Sequence, residues 1–263
     1  MSILENIRYR LRHGRATMDY PAGPAPALPD RHGGALRVDV AKCVQGCEAC
    51  ASVCPTVAIT RAPDNTVVLD LGRCVFCDAC VDVCPAGAIS HTNDHRMACG
   101  RREDLLLGGG GEEVRLAGAL DERLRGLFGR SLRLRQVSAG GCNGCEADTN
   151  VLQTIGWDLG RFGIQFVASP RHADGLLITG PVTRNMETAL LKTYAAVPAP
   201  KIVIAVGACA IAGGPFVDHS QVRNGAASVL PVDLFIAGCP PHPLTILDGL
   251  LRLLGRLEND TRA

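Results

Sequence analysis

Two stretches, "CVQGCEACASVCP" at 43–55 and "CVFCDACVDVCP" at 74–85, hold eight of the chain's thirteen cysteines. Runs this tight are too short for their thiols to pair sensibly as disulfides, and the total is odd. The N-terminal "MSILENIRYRLRHGRATMDYP" has no continuous apolar core of the signal-peptide kind. Together these features read as metal-bound thiolates in a reducing compartment.

The second stretch spaces Cys74, Cys77, Cys80 and Cys84 as C-x2-C-x2-C-x3-C-P. Three thiolates within seven residues grip three irons of one cubane, and the following turn carries the fourth to a neighbouring cluster. One 4Fe–4S cluster is therefore expected on Cys74, Cys77, Cys80 and Cys54, and another on Cys43, Cys47, Cys50 and Cys84. The first stretch departs by one residue, C-x3-C, and Gly46 inside that loop is placed to absorb it. The competing reading is structural zinc, which favours C-x2-C pairs separated by longer gaps.

Both stretches belong to an internal repeat. "CEACASVCPTVAIT" at 47–60 returns as "CDACVDVCPAGAIS" at 77–90, a shift of 30 positions, implying a pseudo-twofold unit in which each half completes the other. Upstream, 1–35 reads as an arm and a Pro- and Ala-rich tether, "YPAGPAPALPD". Ile3, Leu4, Ile7 and Leu11 fall on one face of a helix ringed by Arg8, Arg10, Arg12 and Arg15. That arm lies on a membrane surface or a partner, or else is solvated and frayed. Residues 36–96 form the two-cluster domain, 97–129 a linker with a "GGGG" hinge at 108–111 and an amphipathic helix over 114–128, and 130–263 a second domain.

From residue 133 the pattern alternates. Strands are expected at 132–138, 164–169, 176–180, 202–207 and 234–238, with helices near 149–161, 184–196 and 243–257. Such alternation with short connections predicts an α/β flavodoxin-like parallel sheet following an α+β ferredoxin-like domain. Placed on this sheet, Cys142 and Cys145 follow the first strand, Cys209 the fourth and Cys239 the fifth. All four fall in loops at carboxyl ends, where open α/β sheets build their sites, and each has a glycine or small residue before it. A third 4Fe–4S cluster is expected there. The alternative is core thiols at Cys209 and Cys239 with zinc on the other pair. Cys99 fits no set and reads as an idle buried thiol.

A net charge of +1 gives no global basic field for nucleic acid, and no run approaches eighteen apolar residues, so no membrane span is expected. Glu146 and Asp148, beside the third set, are candidates for a proton relay, with solvated or capping roles as the alternative. Arg133 and Arg135 face a partner or balance cluster charge, and His242 in "PPHP" reads as a packing residue.

Residues 36–95 resemble the two-cluster ferredoxin subunits of formate hydrogenlyase and respiratory complex I, and the flanking "GRATMDYP" and "RMACGRREDLL" look like the hydrogenlyase form. Residues 130–255 resemble the small subunit of membrane-bound, energy-converting nickel–iron hydrogenases and the homologous complex I subunit, through "RSLRLRQVSAGGCNGCE", "SPRHADGLLITGPVTRNM", "GACAIAGGPF" and "GCPPHP". Complex I members carry adjacent cysteines at the first ligand position, whereas "CNGC" is the hydrogenase form. The resemblance implies an electron-transfer subunit with three 4Fe–4S clusters and no catalytic residue of its own. Its implied partners are a nickel–iron large subunit, membrane-embedded subunits, and a donor such as formate dehydrogenase or ferredoxin. It also implies a cytoplasmic location, peripheral to the inner membrane through those partners. A complex I-like quinone oxidoreductase subunit and a free-standing polyferredoxin are the competing readings.

Overall fold

A computed structural model describes residues 2–29, 31–61, 66–108 and 113–257. Of the expected glycine hinge only Gly108 is among them.

The chain opens with α1 (Ile3–His13), closed by a capping box in which Ser2 and Glu5 satisfy each other's backbone N–H groups. No residue of this helix is buried, and Ile3 and Leu11 are 79% and 81% exposed. The extended tether expected behind it is docked at its start. Tyr20 is buried, its hydroxyl donates to Asp248 Oδ1 at 3.0 Å, and Arg161 donates to the Tyr20 carbonyl at 2.7 Å. An aromatic ring with one buried hydrogen bond docks the segment, a contact that its Pro- and Ala-rich composition does not signal.

The repeat unit follows: β1 (Leu36–Val38), α2 (Ala49–Val53), β2 (Ile59–Arg61), β3 (Val67–Asp70), α3 (Ala79–Asp82) and β4 (Ile89–His91). The first and last strands pair antiparallel, Leu36 opposite His91 and Val38 opposite Ile89. The ladder between β2 and β3 is also antiparallel, with Ile59 opposite Leu69. Each short helix buries one cysteine, Cys50 in α2 and Cys80 in α3. Gly46, in the loop with the extra residue, has φ of 73°, a left-handed conformation that glycine adopts without steric cost.

Residues 97–129 do more than link. Strand β5 (Ala98–Cys99) pairs antiparallel at the edge of the second domain's sheet, while β6 (Leu106–Leu107) pairs with β3. The helix expected over 114–128 forms only as α4 (Glu122–Phe128), capped by Asp121, whose side chain accepts from Leu124 N at 2.9 Å. Ahead of it the backbone bonds elsewhere, Ala117 N to the Ala98 carbonyl and Leu120 N to the Leu253 carbonyl, which competes with helix formation.

The second domain comprises β7 (Leu132–Ser138), α5 (Gly144–Val151), β8 (Ile164–Phe166), β9 (Gly175–Thr179), α6 (Arg184–Ala196), β10 (Ile202–Val206), α7 (Ala208–Ala212), β11 (Leu234–Ile236) and α8 (Pro243–Leu253). Strands β8, β7, β9, β10 and β11 lie side by side in that order and parallel, with β5 antiparallel at the end. Every residue of β9 and β10 is buried, as parallel strands covered on both faces require. Strand β7 and helix α6 match their expected bounds. Helix α5 starts earlier than expected, in the cysteine loop, and stops at Val151.

One apolar core runs unbroken from Leu36, Ile59 and Leu69 of the repeat unit to Val137, Ala205 and Phe235 on one face of the parallel sheet. The other face packs on α8 through Leu244, Leu247, Leu250 and Leu251. The two cysteine-bearing parts are thereby held in fixed relation.

Candidate metal centres

The repeat gathers its cysteines across the two halves. Cys43, Cys47, Cys50 and Cys84 line one cavity of ≈ 370 Å³, and Cys54, Cys74, Cys77 and Cys80 line another of ≈ 330 Å³. Each cavity thus draws three thiols from one copy and the fourth from the other. Local bonds are repeated as well: Ala58 N donates to Cys54 Sγ at 3.2 Å, and Ala88 N to Cys84 Sγ at 3.2 Å. These turn amides favour the thiolate. At Cys84 burial acts upward, yet the N–H groups of residues 86–89 outweigh it and bring the pKa down. Deeper in, burial pushes Cys74 up to about 12 and Cys80 up to about 11, with neighbouring thiols adding to the rise.

The third set assembles at the carboxyl edge of the parallel sheet. Cys142 and Cys145 sit where β7 passes into α5, Cys209 opens α7, and Cys239 follows β11. Burial raises Cys145, Cys209 and Cys239, and the mutual proximity of the thiols raises them further; Cys209 reaches about 11. Two glycines make room. Gly207 has φ of 89°, and a Cβ there would collide with Cys145 Sγ; at Gly214, φ 56°, it would lie 2.7 Å from Cys209 Sγ.

This donor set fits iron–sulfur clusters. All donors are soft thiols, backbone N–H groups point at the sulfurs of Cys54, Cys74 and Cys84, and no imidazole is interleaved. Among the described residues no three His, Cys, Asp or Glu side chains converge on one point suited to a single ion. In the repeat unit the cysteines surround open volumes, and a cubane with irons at its corners is held that way.

Glu146 is 7% exposed and accepts from Thr179 Oγ1 at 2.6 Å. Asp148, raised by burial, faces a separate cavity with His242. His242 caps α8, Nδ1 accepting from Leu244 N at 3.1 Å. Cys99 is fully buried in β5, donating to the Asp104 carbonyl at 3.6 Å, and joins no other cysteine. The sequence reading passed over Arg61, which donates to Cys43 Sγ at 3.6 Å and to the Cys47 carbonyl. Its signal lay in the repeat: shifted by 30 positions, Arg61 falls on His91, whose Nε2 lies 2.9 Å from Asp78 Oδ1 beside the other cavity.

Two stretches of the chain match known families. Residues 36–88 match the 4Fe-4S dicluster domain, and residues 142–253 match the family described as NADH ubiquinone oxidoreductase, 20 Kd subunit. The chain is 46% identical over 134 residues to formate hydrogenlyase subunit 7 of Escherichia coli, a match covering 51% of this chain and 52% of that protein. It thus spans about half the length of that relative. To "Probable membrane-bound hydrogenase subunit mbhJ" of Pyrococcus furiosus it is 42% identical over 130 residues, 49% of this chain and 78% of the relative. To an NADH-quinone oxidoreductase subunit of Carboxydothermus hydrogenoformans it is 46% identical over 104 residues, covering 39% and 63%. An N-terminal pair of thiol-lined cavities fused to a parallel sheet with cysteines at its carboxyl edge is thus accounted for in both parts: the chain carries a 4Fe-4S dicluster domain and belongs to the NADH ubiquinone oxidoreductase 20 Kd subunit family.

Proposed function

We propose that this chain is the electron-relay subunit of a membrane-associated, multi-subunit nickel–iron hydrogenase of the formate hydrogenlyase kind. It would be a ferredoxin-like domain joined to a flavodoxin-like one, with three 4Fe–4S clusters. One is assigned to Cys43, Cys47, Cys50 and Cys84, one to Cys54, Cys74, Cys77 and Cys80, and the third to Cys142, Cys145, Cys209 and Cys239. The observation that carries the reading is the separation of twelve cysteines into three groups of four, with the third at the sheet edge beside "CNGC".

Bound clusters supply one-electron transfer. The chain's own residues set the conditions for it. Thiols must lose their protons to bind iron, so burial that lifts Cys74 to about 12 makes the bare thiolate costly to form, and the irons' charge offsets that cost. Amides at Ala58 and Ala88 and the guanidinium of Arg61 stabilise sulfur-borne negative charge. Gly207 and Gly214 let backbone close on the third site and exclude water from it. The large subunit is assigned to the carboxyl edge of the sheet, next to the third site, with the donor at the dicluster end. No helix among the described residues is long and apolar enough to cross a membrane, so attachment is assigned to partner subunits on the cytoplasmic face.

A complex I-like quinone reductase is the second reading, favoured by the 46% identity to the NADH-quinone oxidoreductase relative. Purifying the native complex, identifying its components by mass spectrometry and measuring nickel separates the two. Stoichiometric nickel with hydrogen-linked electron transfer supports the hydrogenase; a nickel-free complex that reduces quinone replaces it with the second.

A further inference from the structure

A cavity of ≈ 820 Å³ separates the loop of Cys77 from the loop of Cys239. Phe76 and Asp78, on either side of Cys77, line it from the repeat unit. Gly238 and Pro240, on either side of Cys239, line it from the parallel sheet. Two cysteines of different assigned cluster sites thus stand at opposite walls of one gap. A Cβ on Gly144 would lie 3.5 Å from Cys142 Sγ and 3.6 Å from Pro240 Cβ, so the Pro240 ring adjoins the third site itself.

The residue on the other wall carries backbone strain. Phe76 has φ of 53°, in the left-handed region that a bulky side chain rarely adopts. Shifted by 30 positions its counterpart is Gly46, at φ of 73°, which takes that conformation without steric cost. The turn has a use of its own, since Phe76 N donates to Cys74 Sγ at 3.4 Å. Glycine would serve that bond equally, so the bond accounts for the turn and not for the ring. The ring is half-buried, packs on the core shared by the two domains, and forms the Cys77 side of the cavity. Strained residues persist where their surroundings hold them, and they gather at functional positions.

We propose that Phe76 is a positioning residue for electron passage between these two cluster sites, its ring supplying packed atoms across the gap between Cys77 and Cys239. The proposal rests on the relay reading above. One electron leaves whichever cluster is reduced, that of Cys54, Cys74, Cys77 and Cys80 or that of Cys142, Cys145, Cys209 and Cys239, and reduces the other. No bond is made or broken and no proton moves. Electron tunnelling falls off more steeply through open or water-filled space than through close-packed, bonded atoms. A ring on the Cys77 wall shortens the open part of the path to Pro240.

The test mixes the oxidised, purified complex with dissolved hydrogen, whose electrons enter through the nickel–iron partner beside the third site. Freeze-quenched electron paramagnetic resonance then follows each cluster in time. The third cluster is recognised as the signal that Cys209→Ser loses, and its neighbour as the one that Cys80→Ser loses. Phe76→Gly keeps the amide that bonds Cys74, so both midpoint potentials and the spin–spin splitting between the two clusters should match wild type. Its third cluster should fill at the wild-type rate, and the electron should reach the neighbour severalfold more slowly. Phe76→Tyr, which retains the ring, should restore the rate. An unchanged rate in Phe76→Gly, a tyrosine variant as slow as the glycine one, or slowing that comes with shifted midpoints or altered splitting overturns the proposal with the relay intact. Failure of hydrogen to reduce any cluster of the wild-type complex overturns the relay reading and takes the proposal with it. Should Phe76→Gly not assemble, Phe76→Leu decides. Slowed transfer at unchanged midpoints supports the proposal, and a wild-type rate refutes it.

Discussion

Cys84 lines the cavity of Cys43, whereas Cys80, one helical turn before it, lines the other. The two cavities are therefore chemically interlocked. Changing Cys84 to Ser should abolish the spectrum of the cluster at Cys43, Cys47 and Cys50 and leave its neighbour's intact, since an alkoxide is a harder, poorer ligand for iron–sulfur. Loss of the neighbour's spectrum instead would refute the crossing.

Iron content tests the third site. The loaded chain should hold about twelve irons as three cubanes. Cys209→Ser should lose about four of them, keep both dicluster signals and collapse electron delivery from donor to hydrogen. Wild-type iron near eight with bound zinc would remove the third cluster.

Arg61 places a cation 3.6 Å from Cys43 Sγ, and a cation near a cluster favours its reduced, more negative form. Arg61→Met should lower the midpoint potential of that cluster. An interaction of about 1 kcal/mol corresponds to ~40 mV for a one-electron couple. A potentiometric titration of that one signal decides the matter, and an upward shift would contradict the assignment.

Thiols buried without metal make the unloaded chain sensitive to alkali. Burial pushes Cys74 and Cys99 up to about 12 in the fold, against about 8.5 in an unfolded chain. A thiol with a raised pKa stabilises the fold fully below the unfolded value and loses that contribution as pH rises toward the folded one. The melting temperature of the metal-free chain should therefore drop between about pH 8.5 and 11, and loading with iron should flatten that drop for Cys74. A Tm that climbs over this range would be inconsistent with buried thiols.

The repeat also marks a local strain. Val57 has φ of 51°, where the equivalent residue of the second copy is Gly87 at 58°. The left-handed conformation costs a non-glycine residue roughly 1–2 kcal/mol, partly offset by glycine's greater entropy when unfolded. Val57 is 54% exposed, so little packing is lost on removing it. Val57→Gly should stabilise the chain by about 0.5–1 kcal/mol, seen as a raised Tm.

Much of this molecule was legible in its residues. Cysteine spacing is local, because a thiolate two or three residues from the next can reach the same cubane, so the dense motifs read directly. Strand β7 and helix α6 matched their expected bounds to the residue, β7 with Leu132, Leu134 and Val137 buried between more exposed neighbours and α6 as a surface helix that buries Leu190. The sparse cysteines needed a second step, the strand order, before they fell on one edge. What the sequence could not carry were contacts between residues far apart in number. Tyr20 reaching Asp248, β5 closing the sheet beside β11, and Arg61 turning onto Cys43 depend on how the layers pack. The unpartnered nitrogens of His32, His91 and His95 are of the same kind. Each imidazole is ordinary in the sequence, and only burial from several elements at once leaves these nitrogens without a partner in the protein and sets His32 and His91 in the wall of the cavity between the loops of Cys77 and Cys239.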